Sequence, residues 1–180
     1  MNKPIIMPLR GSEPEIGKNC YIAPNASIIG DVHMGDGCSI WFSAVLRGDV
    51  NTITLGNNVN VQDNATLHGT YEKCPVTIGN DVTIGHNAVV HGATICDMVL
   101  IGMNSTVLDN AVIASGTVVA AGALILSNIH TEPNSIYAGV PAKKVKDLTP
   151  EQVQKIIGTY ANNYAKYAKW YTDPKSTENQ

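Results

Sequence analysis

Three of the five histidines, His68, His86 and His91, cluster in the sequence. Neutral imidazole is the commonest protein ligand of catalytic zinc, and three such nitrogens with one open position leave room for a reactive water. His68 and His86 are 18 residues apart, three units of six, so a stacked chain puts them on neighbouring coils. His86 and His91 are five apart. Fully extended, that stretch holds their Cα atoms about 16 Å from each other, too far for one ion. A corner in the intervening chain shortens the gap, or a neighbouring subunit supplies one ligand. His33 and His130 have no such setting and read as surface or packing residues. A second conspicuous group is Arg47-Gly48-Asp49. From residue 19 to 142 the only basic residues are Arg47 and Lys73, against nine acidic ones, so a segment that otherwise avoids cations has kept one beside Asp49.

The elements that must position these groups follow a period of six. Apolar residues recur at Ile16, Ile22, Ile28, Met34, Ile40 and Leu46, resume at Leu55, Val61 and Leu67, and again at Ile78, Ile84 and Val90. They then run through Ile95, Ile101, Val107, Ile113, Val119 and Ile125. Six is commensurate with the strand period of two and not with 3.6. Turn formers such as Gly35-Asp36-Gly37, Asn57-Asn58 and Asn80-Asp81 punctuate the units. The pattern predicts an all-β solenoid, short strands coiled into a prism with the apolar position inward. An ordinary β-sandwich predicts turn signals every ~8–12 residues without this phase locking. The phase slips twice, to nine residues between Leu46 and Leu55 and to eleven between Leu67 and Ile78. Insertions in a solenoid map to loops on one face, often the functional one. Arg47 to Asp49 occupy the first slip and His68 to Pro75 the second.

The expected organisation is an N-terminal segment over 1–15, a hexad body over 16–142, a linker and docking helix over 143–172, and a tail over 173–180. Thr149-Pro150-Glu151-Gln152 has the form of a capping box with Pro at the first helical position. Val153, Ile156, Ile157, Tyr160, Tyr164, Tyr167 and Tyr171 follow at helical spacing, a stripe that docks a helix along the prism rather than a ligand site. With 12 basic against 15 acidic residues and net charge −3, the chain lacks the basic surface of a nucleic-acid binder. Its four cysteines are widely spaced with no CxxC, which argues against a disulfide scaffold or a Cys-rich zinc ribbon. The uncharged run from Ala111 to Leu126 is shorter than the ~20 residues of a membrane span and lies in the hexad phase. Lys3, Pro4 and Pro8 break any signal-peptide-like run, and the expected location is the cytoplasm.

The hexad array resembles the left-handed parallel β-helix of the hexapeptide-transferase superfamily, and its handedness is implied by that resemblance alone. Within the group, Arg47-Gly-Asp49, Asn60-Val-Gln62-Asp63, His68 and His86…His91 together resemble the gamma-class carbonic anhydrases and their bacterial relatives. The likeness runs nearly the length of the chain, including the segment that begins Tyr137-Ala-Gly-Val-Pro-Ala and the terminal helix. It implies a homotrimer with zinc, or Fe(II) or cobalt, at each subunit interface. His68 and His91 would come from one chain and His86 from its neighbour. Gln62 would contact the reactive solvent, with Asn60 nearby, and Arg47 and Asp49 would pair across the interface. Asp63 would orient a ligand or an interface partner, and Tyr137 would line the site. The implied reaction is hydration of carbon dioxide to bicarbonate, with no nucleic-acid or membrane partner. Val50 stands where the archetype has a glutamate, and the loop 69–75 is short where the archetype carries a long acidic loop with a proton-shuttling glutamate. Glu72 is the candidate substitute, and slow proton release is expected. Three other functions stay open: a coenzyme A-dependent acyltransferase, a metal-dependent thioesterase-like hydrolase, and a non-catalytic metal-binding trimer. Three histidines where an acyltransferase needs one general base count against the first.

Overall fold

The computed structural model describes residues 3–173. Two- and three-residue strands alternate with turns and pair in parallel with the strand one coil on. The register follows the hexads: Ile22 faces Ile40, Ile40 faces Val61, Val61 faces Ile84, Ile84 faces Ile101, and Val119 faces Tyr137. The result is a left-handed, three-faced prism. Two of its faces are continuous as one eleven-stranded sheet, because the strands Ser27–Met34 and Val45–Leu55 turn a corner without interruption. The expected N-terminal segment already contributes a strand, Ile5–Met7, paired with Ser27–Ile29.

Sequence chemistry accounts for both the inside and the corners. Ile28, Ile40, Leu46, Leu67, Ile84, Ile101, Ile113 and Ile125 are buried along the axis, each contributing about 1.5–3 kcal/mol of apolar burial. The run 111–126 that is apolar enough to draw notice is this core, and no helix among the described residues is long and apolar enough to cross a membrane. At the corners the backbone must turn left-handed, and Asn19, Asn58, Asn64, Asp81, Asn87, Asn104 and Asn110 take positive φ there. Asn and Asp tolerate that region better than other side chains. Along one edge they also tie coil to coil: Asp36 accepts from the Lys18 amide, Asn57 from Asp36, Asn80 from Asn57, and Asp97 from Asn80, at 2.6–2.8 Å.

The two phase slips are structural. The first adds three residues to one coil, so that Asp49 to Thr52 bulge outward between the Gly30–Gly48 and Val32–Ile53 pairs. The second adds five as a turn closed by the Thr70–Cys74 bridge. After the strand Leu124–Ile125 the body closes with an antiparallel hairpin, Ser135–Gly139 with Ala142–Asp147. Thr149 then caps a helix in the expected box, each partner bonding the other's backbone. The helix runs through Pro150–Val153, a wide turn at Gln154–Gly158, and Thr159–Thr172. Val153 and Ile157 pack on Val118 and Leu148. Tyr164 meets the Trp41 ring edge-on at 5.2 Å, and Tyr171 lies 5.4 Å from Tyr21 and 5.6 Å from Trp41. The stripe docks as expected. Of the expected tail, 174–180 lies outside the described residues.

Candidate metal centre

Two corners of the prism carry the chemistry-bearing side chains. At the first, Arg47, His68 and His91 lie on three consecutive strands of one face in direct register, Arg47 beside His68 and His68 beside His91. His68 Nδ1 and His91 Nε2 face each other at 3.2 Å. Their outer nitrogens are engaged by carboxylates: His68 Nε2 lies 3.0 Å from Asp49 Oδ1, and His91 Nδ1 lies 2.7 Å from Asp109 Oδ1. The Thr70 hydroxyl donates to the other Asp109 oxygen at 2.8 Å. Partial burial disfavours ionisation of both carboxyls, but the bonds from Arg47 and His68 to Asp49, and from His91 and Thr70 to Asp109, outweigh it. Both are held below the usual carboxylate range.

These bonds fix the histidine tautomers. An ionised carboxylate only accepts, so each imidazole donates its N–H outward and turns a lone pair inward. Two lone pairs then face each other at 3.2 Å, an arrangement that calls for an electrophile between them. Zinc takes imidazole nitrogens at about 2.0–2.1 Å in tetrahedral array, which separates two of them by about 3.3 Å. The pair fits such an ion, and a carboxylate behind each ring is the usual support for a ligating histidine.

At the second corner stand Asn60, Gln62, Asp63 and His86. His86 Nδ1 lies 2.8 Å from Asp63 Oδ2, and the Phe42 amide donates to the other Asp63 oxygen at 3.2 Å. The buried amides form a chain: Gln62 Nε2 donates to Asn60 Oδ1 at 3.0 Å, and Asn60 Nδ2 donates to Thr83 Oγ1 at 2.7 Å. Gln62 keeps its carbonyl oxygen as an acceptor. The Tyr164 hydroxyl reaches His86 Nε2 at 3.2 Å from the C-terminal helix. Burial and then the nearby Asp63 charge push the Tyr164 hydroxyl up to about 12, so it stays a donor at neutral pH. Gln62, His86, Met103, Ala120, Tyr160 and Tyr164 line part of an apolar cleft of about 220 Å³ between helix and prism.

His68 does not stack with His86: the five inserted residues lengthen that coil, so the partner of His68 is 23 residues on, at His91. A corner does lie between His86 and His91, but it leaves them at different edges. Among the described residues no three His, Cys, Asp or Glu side chains converge as a metal site. Arg47 and Asp49 pair within one chain, Nη1 to Oδ2, because residues two apart on a strand share a side. Tyr137 does not line the site. It takes the inward hexad position beside Val119, is buried, and its hydroxyl accepts from the Glu132 amide at 3.2 Å. The tyrosine stripe, read only as packing, brings Tyr164 to His86. Glu72 is exposed and shares a shallow hollow with Asp49 and Arg10. His33 lies at the surface between Glu15 and Asp31, and His130 is exposed. Asp109 and Tyr164 were missed. Asp109 had a signal, since it follows His91 by one coil length of 18 residues; Tyr164 had none.

Residues 13–48 and 92–127 match the family model for bacterial transferase hexapeptide (six repeats), and 75–108 match that for the hexapeptide repeat of succinyl-transferase. The chain is 41% identical over 161 residues to gamma carbonic anhydrase 1, mitochondrial, of Arabidopsis thaliana, covering 87% of this chain but 58% of that one. It thus spans about three fifths of that plant relative. Protein YrdA of Escherichia coli is 37% identical over 175 residues, 94% of this chain and 95% of its own. A solved hexapeptide transferase family protein from Anaplasma phagocytophilum superposes with TM-score 0.87 at 36% identity, over 93% of this chain and 98% of that one.

Proposed function

Because the chain belongs to the gamma carbonic anhydrase-like hexapeptide-repeat proteins, we propose that it hydrates carbon dioxide to bicarbonate at a metal held between subunits of a homotrimer. One observation carries the reading: His68 and His91 present two inward lone pairs 3.2 Å apart, each ring backed by a carboxylate, with no third ligand among the described residues of the same chain. His68 and His91 would hold the metal from one subunit, and His86 of the next would complete the set. Bound zinc supplies Lewis acidity, which lowers the pKa of water to about 7 and so gives a nucleophile at neutral pH.

The remaining work falls to this chain's side chains. Asp49 and Asp109 accept the outer N–H of their histidines and so fix the tautomer that turns the inner lone pairs toward the metal position. Asp63 does the same for His86 through Nδ1 and leaves Nε2 free to ligate once the Tyr164 hydroxyl yields it. The Thr83–Asn60–Gln62 chain orients the Gln62 carbonyl oxygen, which accepts from a donor in the cleft and so helps place the solvent. Arg47 holds Asp49 against His68. Proton export falls to Glu72, the exposed carboxylate on the Asp49 hollow. A second reading has one observation in its favour: the apolar cleft beside His86 and Gln62, about 220 Å³, is far larger than carbon dioxide needs. It would suit the acyl part of an ester or thioester, cleaved by the same nucleophile.

The test pairs metal analysis of anaerobically purified protein with a carbon dioxide hydration assay. Turnover should be detectable and should rise with imidazole-type buffer at fixed pH and ionic strength, since an external base replaces a weak internal relay. Glu72→Gln should slow it at low buffer only. A zinc-loaded protein that turns over thioesters but not carbon dioxide overturns the first reading for the second; one inert to both leaves a metal-bearing accessory trimer.

A further inference from the structure

Cys20 and Cys38 are 18 residues apart, one coil length, and occupy the same place on the first two coils of the eight-stranded face. The Tyr21 amide donates to the Cys38 carbonyl at 2.9 Å, so the ladder is closed at this point. Neighbouring strands lie ~4.8 Å apart, inside the ~4.4–6.8 Å Cα window of a disulfide. Both thiols point the same way, Cys20 Sγ donating to the Gly35 carbonyl at 3.3 Å and Cys38 Sγ to the Gly56 carbonyl at 3.2 Å one coil on. On the next three coils the same inward place holds Val59, Val82 and Val99, followed by Thr117 and Ser135. Cysteine stands there only on the two coils at the N-terminal end. Cys38 is buried, while Cys20 is partly open to a cleft of about 610 Å³ between the prism and the C-terminal helix, whose lining includes Ala165, Ala168 and Lys169.

We infer that Cys20 and Cys38 form a reversible redox site that takes low-molecular-weight disulfides and, when oxidised, staples the first coil to the second. Only the partly open sulfur meets the oxidant. The Cys38 thiol hydrogen-bonds it, which lowers Cys20 to about 7, while Cys38 itself is pushed up. At neutral pH a large share of the accessible member is therefore thiolate, the nucleophile of exchange. The Cys20 thiolate attacks one sulfur of the oxidant and expels the first small thiol as a thiolate, leaving a mixed disulfide. Cys38 then gives up its proton, attacks the Cys20 sulfur and expels the second small thiol. One S–S bond forms in the protein, one breaks in the oxidant, and two thiols leave. Among the described residues the strand Tyr21–Ile22 pairs with Ser39–Ile40 alone and is an edge of its sheet, so the bond secures an end coil. Cys74 is committed to Asn110 at 3.2 Å and Cys96 lies on a different strand edge, so neither competes.

The experiment incubates the full chain with oxidised glutathione and counts thiols after denaturation. The count should fall from four to two. Trypsin does not cut between Lys18 and Arg47, so the peptide 19–47 should lose two hydrogens and resist alkylation until dithiothreitol is added. Oxidation should raise Tm by about 5 °C or more. Cys20→Ser, at the open position, should abolish both changes, and Cys96→Ser neither. A peptide 19–47 that keeps two alkylatable thiols, or a Cys20–glutathione adduct that persists with Cys38 free, overturns the inference.

Discussion

Asp109 takes its role from the structure alone. It lies one coil beyond His91, holds Nδ1 at 2.7 Å, and is itself held by Thr70. An imidazole that loses such a carboxylate loses both its orientation and part of its basicity, and comparable losses weaken metal affinity by about 10–100-fold. Asp109→Asn should therefore weaken zinc binding by that factor while leaving the fold intact, read by competition with a chromogenic chelator. An unchanged affinity would mean that His91 is not held for a metal. Tyr164 illustrates the opposite case. Its helical spacing marks it as one of a packing stripe, and that reading is correct as far as it goes. Only the depth at which the helix settles puts this hydroxyl, and not that of Tyr160 or Tyr167, on His86.

Among the elements, the slips in the hexad matter more than the hexads. A perfect repeat makes a smooth prism; three residues inserted after Gly48 make the bulge that turns Asp49 toward His68. Gly48 itself leaves no room for a side chain, because a Cβ would strike the Asp31 backbone on the coil beside it. That contact is backbone on both sides and cannot swing away. Gly48→Ala should cost about 1–3 kcal/mol in overpacking, seen as a lower urea midpoint, and should weaken zinc binding as Asp49 shifts. A variant with an unchanged midpoint and unchanged metal affinity would show that the bulge has slack. The slips were visible in the sequence as breaks in phase. Their consequence was not, since the number of inserted residues sets which later residue comes into register with His68.

At the scale of the molecule, neither chemistry-bearing corner holds a full ligand set among the described residues, and the proposed threefold assembly would bring the two together. Sedimentation should give a trimer with about one metal per subunit. His86→Ala should lose the metal and loosen the trimer together, whereas His33→Ala should do neither. A monomer with stoichiometric zinc would sink the shared site. The sequence by itself determined the prism, its inward isoleucines, its asparagine corners and its capped helix. Each of these depends on neighbours within one hexad or one helical turn, where periodicity and local propensity act. The tertiary structure decided that His68 meets His91 rather than His86, that Tyr137 is core, that Tyr164 reaches the site, and that Cys20 lies on Cys38. Those contacts join residues a coil or more apart, and coil length, helix depth and edge position arise only when the chain is wound.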